Sequence, residues 1–298
     1  MKSRDLLAVL MALLAPFFAA LGIVIRQRAT ADVPDEVVSA RAVVRNRMWW
    51  AGTAAALAGY VCQALALSKG SLLLVQPLLV SALLFALPMS AGLSHRRVRH
   101  SDWGWALLLT IALAVFVLVG QPRGGHYRPP VPAWTLVTVV MVPSVAACVA
   151  VAARVGGRQR AVLLGVAVGA LFGTVAVLTK MSMHRLTEGG LPALLSVPAP
   201  YLLVVLAVLA MMLQQSAFRA GVLETSVPAM LVVEPLSASL LGIAVLGEYF
   251  AVSGPAAAVL PLAALAMAAA TIALGRGSAA REQNAVEPTG AVPGAERL

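Results

Sequence analysis

Charge is scarce in this sequence. Only 11% of its 298 residues are Asp, Glu, Lys or Arg, where a soluble domain carries about 25%. That shortage excludes an ordinary water-soluble fold, which needs a solvated surface. Cysteine is nearly absent too. Cys62 and Cys148 both fall inside apolar blocks, which excludes a disulfide framework and a thiolate zinc site. The four histidines, His95, His100, His126 and His184, lie in or near loops without metal-ligand spacing. No Walker-type glycine loop is present and no Ser/His/Asp set can be argued, so neither ATP-driven transport within this chain, nor an enzyme, nor a cofactor is expected. Lysine is reduced to 3 residues against 19 arginines. With abundant Ala, Val and Gly, that bias points to a GC-rich bacterial genome.

What fills the sequence is hydrocarbon: 60% of residues are hydrophobic and mean hydropathy is +0.90. The apolar residues come in blocks of about 18 to 23, long enough to cross about 30 Å of bilayer at about 1.5 Å per residue. The predicted spans are Leu6–Ile25, Trp49–Leu67, Ser71–Leu93, Trp103–Val119, Trp134–Ala153, Ala161–Thr179, Leu194–Leu213, Leu223–Leu246 and Ala257–Leu274. Trp49, Trp50, Trp103, Trp105, Trp134, Tyr201 and Tyr249 fall near their ends, where amphipathic rings favour the interface. Lys2 and Arg4 precede the first block as in a signal peptide. The block is longer than a signal's apolar core and no clear A-x-A site ends it, so a retained first span is expected. The expected fold class is therefore an all-α polytopic membrane protein of about nine transmembrane helices. Residues from Gly275 onward, rich in Gly, Pro and Glu, are expected to form a disordered cytoplasmic tail.

A net charge of +10 would suggest nucleic acid in a soluble protein. Here the basic residues sit singly or in threes between apolar blocks, as in cytoplasmic loops, so no nucleic acid partner is expected. Lys2, Arg4, Lys69, Arg123, Arg128, Lys180 and Arg185 fall on one side of the membrane, 7 residues against 15 on the other. The positive-inside rule then puts the N-terminus outside and the C-terminus in the cytoplasm of a bacterial plasma membrane. Lys180, at the end of the sixth span, is expected to snorkel to the interface. The expected partners are the bilayer and a small solute or ion, with a homodimer left open.

A shift of 151 positions lays Gln63 on Gln214, Ala66 on Ala217, Gly70 on Gly221 and Pro77 on Pro228. The first span likewise resembles the sixth. The chain thus reads as a first transmembrane repeat over 1–120, an outer loop and connecting helix over 121–153, a second repeat over 154–275 and the tail over 276–298. An odd number of crossings before the second unit inverts it, as in many secondary transporters, whose sites lie at the repeat interface near mid-membrane.

Glu234 is the sharpest single feature, since it falls near the centre of its span. A charge at that depth costs about 2.5–3.5 kcal/mol on insertion scales. Keeping a glutamate neutral at pH 7 costs a similar amount, about 3.7 kcal/mol from its reference value, so its surroundings decide its state. An intramembrane carboxylate is by default a functional candidate; the structural alternative is a neutral Glu bonded to a neighbouring helix. Pro228 and Pro235 share the span and free the carbonyls of Glu224 and Leu231. Such carbonyls coordinate cations or donors in broken transporter helices, or are satisfied by Ser237 in a plain kink. Gln63, Gln76, Gln214 and Gln215 either line a cavity or hold helices together. Glu224, five residues after Arg219, reads first as half of an interfacial ion pair and second as a ligand. Gly165, Gly169 and Gly173 form a stripe that lets a neighbouring helix approach closely.

Pro228, the Glu234–Pro235 pair and LLGIAVLGE ending at Gly247–Glu248 resemble the drug/metabolite transporter superfamily, whose EamA-type members have a proline-containing helix closing in Gly-Glu. The nine-span layout, WWAG at Trp49–Gly52 and the duplicated QA/QQ-to-Pro segment are similar to the NIPA-type magnesium-transporter branch. The first repeat departs from the pattern, with SHRR at Ser94–Arg97 in place of Gly-Glu, so Glu248 has no counterpart there. The resemblance implies a proton- or ion-coupled secondary transporter of a small metabolite. A magnesium permease, or a non-transporting membrane partner or lipid-handling protein, are the alternatives. A magnesium permease fits less well, because Mg²⁺ takes several oxygen ligands and retained waters, and Glu234 alone is deep in a span.

Overall fold

The computed structural model describes residues 3–31, 46–94, 100–125, 131–219 and 223–286. His95, His126, the run Arg96–Arg99, Gly221 and everything past Val286 lie outside the described residues. The chain is helical almost throughout: α1 Ser3–Ala31, α2 Arg47–Lys69, α3 Leu72–Leu79, α4 Ala82–Ser94, α5 His100–Gly120, α6 Val131–Ala152, α7 Gly157–Leu195, α8 Ala199–Arg219, α9 Leu223–Leu246 and α10 Val259–Val286. Eight helical stretches are long and apolar enough to cross a membrane, and a shorter apolar helix, Val137–Ala152, falls on the fifth predicted span. Leucines and valines such as Leu107, Leu118, Val204, Leu240 and Leu265 project from the outer faces. In water that surface would aggregate; in a bilayer it meets a solvent of its own kind. The protein is a multi-pass helical membrane protein.

Several predicted boundaries move. The third predicted span is two helices, broken after Pro77 at Val80–Ser81. Pro77 withdraws an N–H from the ladder just before the break, and Pro88 withdraws another further along, inside α4. The sixth runs on to Leu195, past the predicted end at Thr179, because residues 180–189 keep good helix formers. It bends at Gly190, whose φ of 67° is a left-handed conformation natural only to glycine. Leu194 and Leu195 therefore finish α7 instead of opening the next span, and α8 starts at Ala199. The last helix continues to Val286 through GRGSAAREQNAV. Where the composition suggests a tail without structure, its Ala, Arg, Glu and Gln extend the helix.

Small residues set the packing. A Cβ on Gly165 would stand 2.8 Å from the Ser226 carbonyl oxygen, and one on Gly169 would stand 2.8 Å from Val233 Cβ and 3.0 Å from Glu234 N. A Cβ on Gly173 would meet Ser237 Oγ, so the glycine stripe of α7 presses on the backbone of α9 on both sides of Glu234. Gly22 and Gly59 seat α1 against α2 in the same way. The α2–α3 turn, a two-residue ribbon pairing Pro122–Arg123 (β1) with Tyr249–Phe250 (β2), and the end of α9 share one end of the bundle. Phe250 packs edge-to-face on Phe116 there, with ring centroids 5.3 Å apart.

Candidate functional site

Glu234 faces a cavity of about 300 Å³. Helix α1 contributes Ala15, Pro16 and Ala19, and α2 contributes Ala56, Gly59, Tyr60 and Gln63. Gln76, Leu79, Val80 and Ala82 come from the broken α3–α4 segment, and Leu231, Glu234 and Pro235 from α9. Space is left where α1 and α2 carry small side chains opposite Glu234, at Ala15, Ala19, Ala56 and Gly59. Residues from early and late in the chain thus meet around one carboxyl.

The polar groups of this cavity are poorly supplied with partners. The side chains of Glu234 and Gln63 make no hydrogen bond or ion pair with any described residue. Gln76 is 1% exposed, and its Nε2 is buried without a partner among the described residues. A buried amide donor left unpaired costs about 1–3 kcal/mol, so such groups in native proteins call for an explanation. Tyr60 is better placed, its hydroxyl 3.4 Å from Thr179 Oγ1. Pro235 removes the N–H that would pair with the Leu231 carbonyl, and Leu231 also lines the cavity. Ser237 does not reach back to Leu231; its hydroxyl donates to the carbonyls of Glu234 (3.0 Å) and Gly169 (3.2 Å).

Other candidates lie apart. Pro228 is buried away from this cavity, against Gly275 of α10. Gln214 turns towards Met230 Sδ at 3.9 Å, and Gln215 is exposed. The Glu224 side chain lies outside the described residues. The four glutamines thus divide, Gln63 and Gln76 on the cavity and Gln214 and Gln215 elsewhere.

A second polar cluster escapes sequence reasoning. Lys180 does not snorkel: it is 1% exposed, and its Nζ donates to Glu248 Oε1 at 2.6 Å and to the Gly70 carbonyl at 2.7 Å. The helix runs on beyond Lys180 to Leu195, and the side chain turns inward to its partners. Glu248, 2% exposed, also accepts from the N–H groups of Leu72 (2.9 Å) and Leu73 (3.1 Å). Those N–H groups open α3, where a carboxylate is favoured by the helix dipole and satisfies orphan donors. Ser71 caps the next one, accepting from Leu74 N at 3.2 Å. Gly247, with φ 64°, makes the turn that brings Glu248 back, and Gly242 has no Cβ to obstruct the carboxylate. The pair joins α2–α3, α7 and the end of α9 in one contact, inside a core that includes Leu67, Val75, Val177 and Leu246. The available signal was an acid and a base both next to long apolar runs, with no solvent route for either.

A bundle of long apolar helices, eight of them long enough to cross a membrane, places the chain in the class of multi-pass helical membrane proteins. Within that class, the chain belongs to the same family as an uncharacterized protein of Corynebacterium glutamicum, 38% identical over 278 residues that make up 92% of this chain and 96% of the relative. No family model matches the chain, and no solved structure matches it.

Proposed function

We propose that the protein is a secondary transporter that moves a small solute across the bacterial plasma membrane, coupled to protons or another ion at Glu234. The observation that carries this reading is the cavity, where the Glu234 and Gln63 side chains and Gln76 Nε2 converge without a partner among the described residues. A merely structural carboxyl would be expected to bond a neighbouring helix, and this one bonds none of the described residues. The resemblance of the Glu234–Pro235 helix to the drug/metabolite transporter superfamily supports the same reading. So does the packing. Helix α1 packs on α2 and on α3–α4, as α7 packs on α8 and α9, while α3 meets α9 and α5 meets α10 across the halves. Two inverted repeats of four helices, joined by α6, account for that symmetry. A single carboxylate among apolar walls favours an organic solute over Mg²⁺, which takes six oxygen ligands including retained waters.

The test is solute flux into proteoliposomes of the purified protein, across a panel of metabolites, with an imposed pH gradient or membrane potential. Gradient-dependent accumulation of a solute is expected. Absence of flux for every solute and every gradient would sink the transport reading.

Topology follows from the same proposal. Single cysteines at Ser94 and Gly124, in a background without Cys62 and Cys148, should label from opposite sides, Ser94 from the cytoplasm and Gly124 from outside. Labelling of both from one side would overturn the nine-span inverted arrangement.

A further inference from the structure

The chemistry of the cavity says more than that it binds a solute. Among the described residues, Glu234 and the Tyr60 phenol are the ionisable side chains on its wall, and no described Lys, Arg or His lines it. The nearby basic residue Lys180 is spent on Glu248 and Gly70. An anionic ligand would therefore meet a carboxyl with no countercharge, in surroundings of low dielectric where the repulsion is strong. A cation would find an acceptor. Gln76 Nε2 adds the opposite requirement. It is a donor, buried and unpartnered among the described residues, so the ligand that satisfies it brings an acceptor. A bare metal ion or an alkylammonium brings none. Pro16, Leu79, Val80 and Leu231 supply apolar wall, and about 300 Å³ lies at the lower end of the roughly 300–1,000 Å³ of ligand pockets.

We infer that the solute is a small organic amine, cationic overall, with a neutral hydrogen-bond acceptor and a short apolar body: the ammonium on Glu234, the acceptor on Gln76, the hydrocarbon against the proline and leucine wall. This rests on the cavity being the transport site, and it deepens that reading by naming the class of substrate.

Four compounds of one skeleton separate the requirements. Leucinamide carries the amine and the amide. 3-Methylbutylamine lacks the amide, 4-methylpentanamide lacks the amine, and leucine replaces the neutral acceptor with a carboxylate. Affinities are measured by calorimetry on the full-length protein in lipid nanodiscs. Leucinamide should bind best, and each of the other three about tenfold or more weaker, the scale of one lost hydrogen bond in a desolvated site. In Glu234→Gln the advantage of leucinamide over 4-methylpentanamide should vanish. In Gln76→Leu its advantage over 3-methylbutylamine should vanish, while the preference for the amine stays. Gln76→Met serves if the leucine variant does not fold.

The inference is overturned if 4-methylpentanamide or leucine binds as tightly as leucinamide. It is equally overturned if the amide advantage survives at position 76, or if none of the four binds. Its failure and that of the transport reading are separable. Binding in the predicted order without any flux rejects transport and keeps the cavity chemistry. Glu234-dependent flux of some other solute, with no binding in this series, rejects the substrate class and keeps transport.

Discussion

Glu248→Ala should be among the most damaging single substitutions in this chain, with a loss of about 3–5 kcal/mol, the range seen when one partner of a buried ion pair is removed. The reason is what stays behind. Lys180 Nζ would lose its countercharge, and the Leu72 and Leu73 N–H groups at the start of α3 would lose their acceptor. Lys180→Met should be milder, because the carboxylate would retain two amide donors and the favourable end of a helix dipole. Removing both charges, as Lys180→Met with Glu248→Leu, should recover part of the loss, since no uncompensated charge remains; the two α3 donors would still be orphaned. Thermal unfolding of the detergent-solubilised variants, followed by the fraction that stays monodisperse, orders the series. Wild-type unfolding in Glu248→Ala would mean that the pair contributes nothing to the folded state.

The pair also shows where sequence reading stops. Most of the helices and their centres follow from apolar run length, because a bilayer of fixed thickness admits few alternatives. The glycine stripe of α7 could be read as a packing face without knowing which helix would occupy it; it is α9, beside Glu234. What run length does not carry is which distant residues meet. Lys180 and Glu248 each stand at a plausible interface when their own helix is considered alone. Only the extension of α7 to Leu195 and the turn at Gly247 bury them together. Gln63 and Gln76 could not be told from Gln214 and Gln215 for a similar reason. All four are glutamines in apolar helices, and the choice between cavity and surface depends on helix rotation about an axis, to which a low-amphipathicity span offers little clue. Glu234 was legible because its depth alone makes it expensive, whatever surrounds it.

Glu234→Gln is expected to leave the fold intact and to remove coupled transport. The structural half follows from the cavity: the carboxyl bonds no described residue, so an isosteric amide breaks nothing, and it lowers the cost of a charge within the membrane. The functional half follows from the proposed role. A group that takes up a proton or a cation in exchange for solute has to change its charge through the cycle, and an amide cannot. Gradient-driven uptake should fall about 30-fold or more, equivalent to the roughly 2 kcal/mol at the low end for losing one partner of a buried charge pair. Its dependence on pH should flatten, because an amide at position 234 takes up and releases no proton. Glu234→Asp should keep partial activity, with the charge preserved and the carboxylate drawn back by one methylene. Glu224→Gln, at the start of α9, should act more weakly. The measurement is initial uptake rate against external pH for each reconstituted variant, with thermal unfolding recorded in parallel. Wild-type rates and a wild-type pH profile in Glu234→Gln would make this carboxyl structural and put the coupling site elsewhere in the bundle.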